Sequence, residues 1–219
     1  MSSTLIPSSI TLPGPYRGVV FDMDGLLVHT ERTWAKAKTI LFGRYGAAFE
    51  PADHAAVFGA AEIYSATYFT QRLGLPESEI PAIRDEYMDI VHELFREPIE
   101  ISAGAAELVG RLAGRVPVGL ASNTRRTLVD EVLANTTFGH LFDAITTADE
   151  AEPKPAPDLY LLSCERLSVE PAEAVALEDS LFGVRAAKAA GMTCIGVPSH
   201  PDEPLAPADH VIGSLTELL

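Results

Sequence analysis

Four groups of polar residues with chemical potential stand out, three of them directly after short apolar runs. Asp22 and Asp24 follow Gly18-Val19-Val20-Phe21, with Gly25 next. Ser122-Asn123-Thr124 follow the run from Val116 to Ala121, and Glu178-Asp179 follow Ala174-Val175-Ala176-Leu177. Lys154 lies in Glu152-Pro153-Lys154-Pro155-Ala156-Pro157-Asp158, where prolines stiffen the chain around the ammonium. In extended chain, residues two apart point the same way, so the carboxylates of Asp22 and Asp24 can face one pocket. Gly25 lets the backbone turn sharply behind them. Like charges this close need a cation, a proton or a division of labour. Alone the pair decides little, because Asp-x-Asp-Gly also occurs in plain turns and calcium loops. A second acidic pair at another buried strand end, opposite the first, suits a hard cation. Ser122 and Thr124 read as hydroxyl donors or as a helix N-cap, and a helix start is itself an anion site. The plainer roles are a cap at Glu178-Asp179 for a helix from Ser180 and a solvated surface position for Lys154.

The elements that would position these groups alternate. Continuous apolar runs suit strands buried on both faces: Gly18 to Phe21, Val116 to Ala121, Ala174 to Leu177, Thr193 to Val197 and, more weakly, Ala144 to Thr147. Pro117 counts against the start of the second run. Helical spacing covers Ala103 to Leu112, Pro157 to Leu167 and Ser180 to Ala190, the last ending at Gly191. Strand and helix in turn predict an α/β fold with a mostly parallel sheet, and open parallel sheets bind ligands at their carboxyl edge. One stretch breaks the alternation. From Glu31 to Arg96 every pattern is helical: Thr33 to Tyr45, Asp53 to Phe58, Glu62 to Leu73 and Glu77 to Phe95.

Composition narrows the partners. Among 219 residues, 31 acids against 16 Lys and Arg give a formal charge of −15, which repels nucleic-acid backbones and anionic membranes. An anionic substrate would then need a locally positive site. Cys164 and Cys194 form no CxxC and no framework, which suits a reducing compartment. Residues 1–15 lack a basic start and an apolar run, so the expectation is a flexible tail on a cytoplasmic monomer.

Taken together, the motifs resemble those of the haloacid dehalogenase-like hydrolases. Phe21-Asp22-Met23-Asp24-Gly25 through Glu31 is similar to the first family motif, and Leu120-Ala121-Ser122-Asn123-Thr124 to the second. Lys154-Pro155-Ala156-Pro157-Asp158 resembles the third, and Leu177-Glu178-Asp179-Ser180 with Ala186 to Met192 the fourth. The resemblance spans residues 16–219, in family order, nearest the branch of β-phosphoglucomutases and phosphoglycolate phosphatases. It implies a Rossmann-like, doubly wound core of residues 16–30 and 97–219, with an inserted all-helical cap at 31–96. It also implies a Mg²⁺-dependent phosphatase of a small phosphorylated metabolite, such as a sugar phosphate. Asp22 would attack phosphorus and form an aspartyl-phosphate, and Asp24 would serve as general acid and base. Ser122, Asn123 and Lys154 would hold the phosphoryl group. Asp22, Asp24 (through its carbonyl), Glu178 and Asp179 would bind the metal.

Departures from the family pattern bear on substrate. His29 stands where many relatives carry Asp, and Pro153 replaces the usual Gly before the lysine. The segment Phe58 to Ile63 lacks the arginine with which β-phosphoglucomutases grip a second phosphate. A phosphomutase is therefore the alternative, kept open by Arg125. A dehalogenase would lack Asp24, and a catalytically silent binding protein would not need every catalytic position filled. Candidate substrate residues are His29, Tyr64, Tyr68, Arg72 and Arg125, although cap packing also accounts for the tyrosines and a solvated face for Arg72. Tethers around Val28 to Thr30 and Glu97 to Ser102 would let the cap close over the site.

Overall fold

A computed structural model describes residues 12, 14–199 and 205–219. Of the expected tail at 1–15, only Leu12, Gly14 and Pro15 fall within the described residues; the rest lies outside them.

A six-stranded parallel sheet in the order β5-β4-β1-β6-β7-β8 forms the base of the molecule. Its strands are β1 (Gly18–Phe21), β4 (Val118–Ser122), β5 (Ala144–Thr147), β6 (Ala174–Glu178), β7 (Thr193–Gly196) and β8 (His210–Val211). Every residue of β1, β4 and β6 is buried, as continuous apolar runs require of strands covered on both faces. The covering helices are α5 (Ala105–Leu112), α6 (Arg126–Ala134), α7 (Asp158–Leu167) and α8 (Leu181–Ala189). The fold is thus Rossmann-like α/β.

β1 lies at the centre, with β4 on one side and β6 on the other. The chain winds outward from β1 through β4 to β5 and then crosses back to β6. The carboxyl ends of β1, β4 and β6 therefore meet at a topological switch point, where open parallel sheets bind ligands.

Between β1 and β4 the chain forms a two-stranded antiparallel ribbon, β2 (Val28–His29) with β3 (Glu100–Ile101). From this ribbon rise α1 (Glu31–Arg44), α2 (Pro51–Val57), α3 (Glu62–Arg72) and α4 (Ile80–Leu94). Edge-to-face aromatic packing joins these helices: Phe42 to Phe69 at 5.5 Å, Phe69 to Tyr87 at 5.2 Å and Trp34 to Phe95 at 5.2 Å between ring centroids.

Several boundaries differ from the sequence reading. β4 starts at Val118 rather than Val116, because Pro117 has no N–H for the ladder. The segment from Glu77 splits into a 3-10 turn, Glu77–Glu79, and α4, with Pro81 in the first turn of the helix where its missing donor costs nothing. Helix α6 and strand β8 went unread. Neither Ser122 nor Thr124 caps α6: Ser122 ends β4, the N-cap is Arg125, and the Asp149 carboxylate takes the Arg126 N–H at 2.6 Å. Ser180 does cap α8, accepting from Gly183 N at 3.1 Å.

Candidate active site

Asp22 is the first residue beyond β1, and its N–H is tied to the Leu177 carbonyl of β6 at 3.0 Å. One turn later Gly25 takes φ +83°, and a Cβ there would meet the Asp179 carboxylate at 2.0 Å. Only glycine lets this loop lie against the acidic pair after β6.

The Lys154 ammonium is buried and donates three hydrogen bonds. It reaches Asp22 Oδ1 at 2.6 Å, Glu178 Oε1 at 2.6 Å and the Ala121 carbonyl at 2.7 Å. Burial alone would lower its pKa, but the Asp22 and Glu178 carboxylates outweigh that and hold it above the ordinary lysine range. Glu178 also accepts from Tyr160 Oη at 2.6 Å and from Ser180 Oγ at 3.3 Å. Asp179 accepts from Ser199 Oγ at 2.9 Å. Asp22 Oδ1 is taken by Lys154, while Oδ2 has no hydrogen-bond donor among the described residues.

Oxygens of Asp22, Glu178 and Asp179 lie within 4.8 Å of one another, all buried. Three carboxylates against one ammonium leave an excess of two negative charges (3 − 1 = 2). Burial, and next the neighbouring carboxylates, push the pKa of Asp179 well up; the same forces raise Asp22 against the pull of Lys154. An all-oxygen donor set with this charge deficit fits a hard divalent cation, and these residues could hold one.

The Asp24 side chain turns the other way. Its Oδ1 accepts from Thr30 Oγ1 at 2.6 Å and Trp34 Nε1 at 2.9 Å, and its Oδ2 from Thr124 Oγ1 at 2.8 Å and Ser122 Oγ at 3.4 Å. Thr30 stands at the N-cap position of α1, yet its hydroxyl goes to Asp24 rather than to the helix. Asn123 joins three segments. Its Oδ1 accepts the Lys154 N–H at 2.8 Å, and its amide donates to the Lys154 carbonyl at 3.1 Å and the Gly59 carbonyl at 3.0 Å.

These groups open into one cleft of about 770 Å³, mouth included, between the sheet edge and the helices α1 to α4. Asp22, Asp24, Ser122, Asn123, Lys154 and Asp179 line its sheet side, and Glu178 lies directly behind Lys154. The helical block touches the sheet side at fixed points. Gly59 packs on Ser180, where a Cβ would stand 2.9 Å from Ser180 Cβ, and Arg125 pairs with Glu62 through Nε at 2.8 Å and through its second nitrogen.

The five candidate substrate residues fall outside the lining of this cleft. His29 is exposed on β2, 3.8 Å from Glu31. Tyr64 is exposed against Phe182, while Tyr68 and Arg72 both hold Asp53, at 2.7 and 2.9 Å. Arg125 borders an adjoining groove with Glu62 and Pro153. Sequence reasoning missed Thr30, Trp34, Tyr160 and Ser199. Trp34 was the most readable: with Thr30 it makes an i, i+4 pair on the first turns of α1, directly after the acidic loop.

The haloacid dehalogenase-like hydrolase family matches residues 19–197. The chain belongs to that family. It is a hydrolase. It is 31% identical over 183 residues to the fructose-1-phosphate phosphatase YqaB of Escherichia coli (strain K12), covering 83% of this chain and 96% of that protein. It is 35% identical over 217 residues to the protein CbbY of Cereibacter sphaeroides, covering 91% and 93%. The crystal structure of a CbbY variant from Rhodobacter sphaeroides in complex with xylulose-(1,5)bisphosphate superposes with a TM-score of 0.80 at 28% identity, covering 93% of this chain and 96% of that one. Among the described residues, no helix is long and apolar enough to cross a membrane.

Proposed function

We propose that this hydrolase is a Mg²⁺-dependent phosphatase acting on a small phosphate monoester of the sugar-phosphate class. The observation that carries the reading is the divided Asp22 carboxylate: one oxygen is fixed by Lys154, the other meets no donor and belongs to a residue lining the cleft. A relative named as a fructose-1-phosphate phosphatase and a fold neighbour bound to xylulose-(1,5)bisphosphate support the substrate class.

Asp22 Oδ2 attacks phosphorus, and the bond to the leaving oxygen breaks. Asp24 enters the reaction protonated on Oδ2, where the Thr124 and Ser122 hydroxyls can turn to accept, and gives that proton to the leaving oxygen; it then takes one from the water that attacks the aspartyl-phosphate, which frees phosphate and restores both side chains. Thr30, Trp34 and Thr124 hold Asp24 in place for both transfers. Lys154 orients Asp22 and offsets charge as it gathers on the phosphoryl oxygens, and Ser122 stands beside it at the end of β4. Asn123 positions the Lys154 loop through its two hydrogen bonds to that peptide. Asp22 and Asp179, with Glu178 behind them and the Asp24 carbonyl, would hold the cation. When bound, Mg²⁺ offsets the remaining carboxylate charge and orients phosphate oxygens. Helices α1 to α4 act as a cap that excludes bulk water.

The test is phosphate release from an aryl phosphate and from a panel of sugar phosphates, with Mg²⁺ and with a chelator. Release that stops in chelator and returns with Mg²⁺ is the expected result. Full release in chelator would remove the metal from the reading, and no release from any ester would remove the reaction.

A further inference from the structure

The helical side of the cleft carries polar groups that the chemistry above does not use. Lys38 on α1, Ser65 on α3 and Tyr87 on α4 are buried, 6%, 3% and 2% exposed, and all three line the cleft. Among the described residues, none of their polar ends has a hydrogen-bond or ion-pair partner. Lys38 meets only the face of Phe49, at 6.0 Å to the centroid. The side chains are buried but their polar ends are not sealed: among the described residues the only fully enclosed side-chain polar atom without a partner is Ser102 Oγ, so these three ends open into the cleft, where a ligand can reach them. Three such groups from three helices converging on one cleft form a set of donors waiting for an acceptor.

Their position says which part of a ligand they meet. Thr30, Trp34 and Lys38 stand at i, i+4 and i+8 and so share one face of α1. The first two bond Asp24, at the reacting end. Lys38 lies one turn past Trp34 and two past Thr30, about 6 to 12 Å along the helix. That spacing suits the far end of a chain of roughly three to six carbons, not the transferring phosphoryl group. We propose that Lys38, Ser65 and Tyr87 form a second anion subsite, which selects phosphate monoesters bearing a carboxylate or a further phosphate at their distal end. The inference deepens the phosphatase reading and rests on it for the position of the reacting end. It also supplies, from α1, a cation for the second charge that the segment Phe58 to Ile63 lacks. Burial draws the Lys38 ammonium down to about 8, with Asp24 pulling the other way, and an anion seated beside it would restore the charged form.

Two matched pairs of probes test this: 3-phosphoglycerate against glycerol 3-phosphate for a carboxylate, and fructose 1,6-bisphosphate against fructose 1-phosphate for a phosphate. For at least one pair the anionic member should have the higher kcat/KM. Lys38→Met should lower that preference about 10- to 100-fold, the range of a charge-assisted hydrogen bond, and Tyr87→Phe should lower it less. The pair that responds identifies carboxylate or phosphate. Calorimetric titration of the same probes into the Asp22→Asn protein, with and without Lys38→Met, reads the subsite without turnover. No phosphate release from any probe, with the Lys38 effect on binding retained, would overturn the phosphatase reading alone. Equal binding of both members of both pairs, or a preference that survives Lys38→Met, would overturn the subsite. Thermal unfolding guards against a structural explanation: Lys38→Met should raise Tm, because no partner is left behind, whereas a lysine needed for folding would lower it.

Discussion

The two walls of the cleft are built on opposite principles. On the sheet side every charged group has a partner within the protein: Lys154 holds Asp22 and Glu178, Tyr160 supports Glu178, Ser199 supports Asp179, and four donors surround Asp24. On the helical side Lys38, Ser65 and Tyr87 have none among the described residues. A wall whose side chains are tied to one another, with only the excess carboxylate charge left for a cation, holds a fixed geometry and suits a reaction common to many substrates. A wall that leaves donors open must be completed by a ligand and suits choice among substrates. The partnered side should therefore fail when one partner is removed, and the open side should grow more stable.

Lys154→Met is the sharpest challenge on the sheet side. It leaves three buried carboxylates without the one cation that pairs with them among the described residues, so turnover should be lost and the metal-free protein should lose about 3–5 kcal/mol of stability in denaturant titration. Retained stability in chelator would mean that the cluster does not depend on Lys154, and the contrast between the walls would collapse.

Arg125→Ala probes the seam where the walls meet. The pair with Glu62 is partly buried and joins the helical block to the sheet side. Its loss should lower kcat/KM by several-fold and widen the distribution of distances between α3 and α8 in fluorescence transfer. An unchanged distribution would show that the Asn123–Gly59 and Gly59–Ser180 contacts suffice to hold the block.

The smallest effect belongs to the open wall and depends on pH. The Lys38 pKa, about 8, lies below that of an exposed lysine, so the fold penalises its charged form. That penalty is fully present below pH 8 and disappears as pH rises toward the ordinary lysine value. The Tm advantage of Lys38→Met over the native chain should be largest near pH 7 and shrink by pH 10. An advantage that grows with pH would contradict the burial of an unpartnered ammonium.

The same contrast explains what was legible in the sequence. Apolar runs that end in polar residues mark strands buried on both faces, and at their ends Asp22, Ser122 and Glu178 can be recognised without coordinates. The helical wall has no such marker. Lys38, Ser65 and Tyr87 lie far apart in the chain, each inside an amphipathic helix where one polar residue reads as part of the solvated face. Tyr64, Tyr68 and Arg72 offered more conspicuous chemistry on α3, the helix of Ser65, but Tyr68 and Arg72 are turned to Asp53 and Tyr64 to Phe182. Tyr160 was hidden in the same way, its apolar ring fitting the core face of α7 while its hydroxyl reaches Glu178. Helix α6 was missed because its start carries no side-chain cap; the Asp149 carboxylate that serves it lies 23 residues downstream.

In the proposed reaction Asp22 carries the phosphoryl group. Rapid acid quenching during turnover, followed by mass analysis of peptides, tests it most directly. One phosphoryl group is expected on the peptide containing Asp22, labile to hydroxylamine as an acyl phosphate must be, with neither adduct nor turnover in Asp22→Asn. A phosphoryl group on any other residue, or substantial phosphate release by Asp22→Asn, would contradict it.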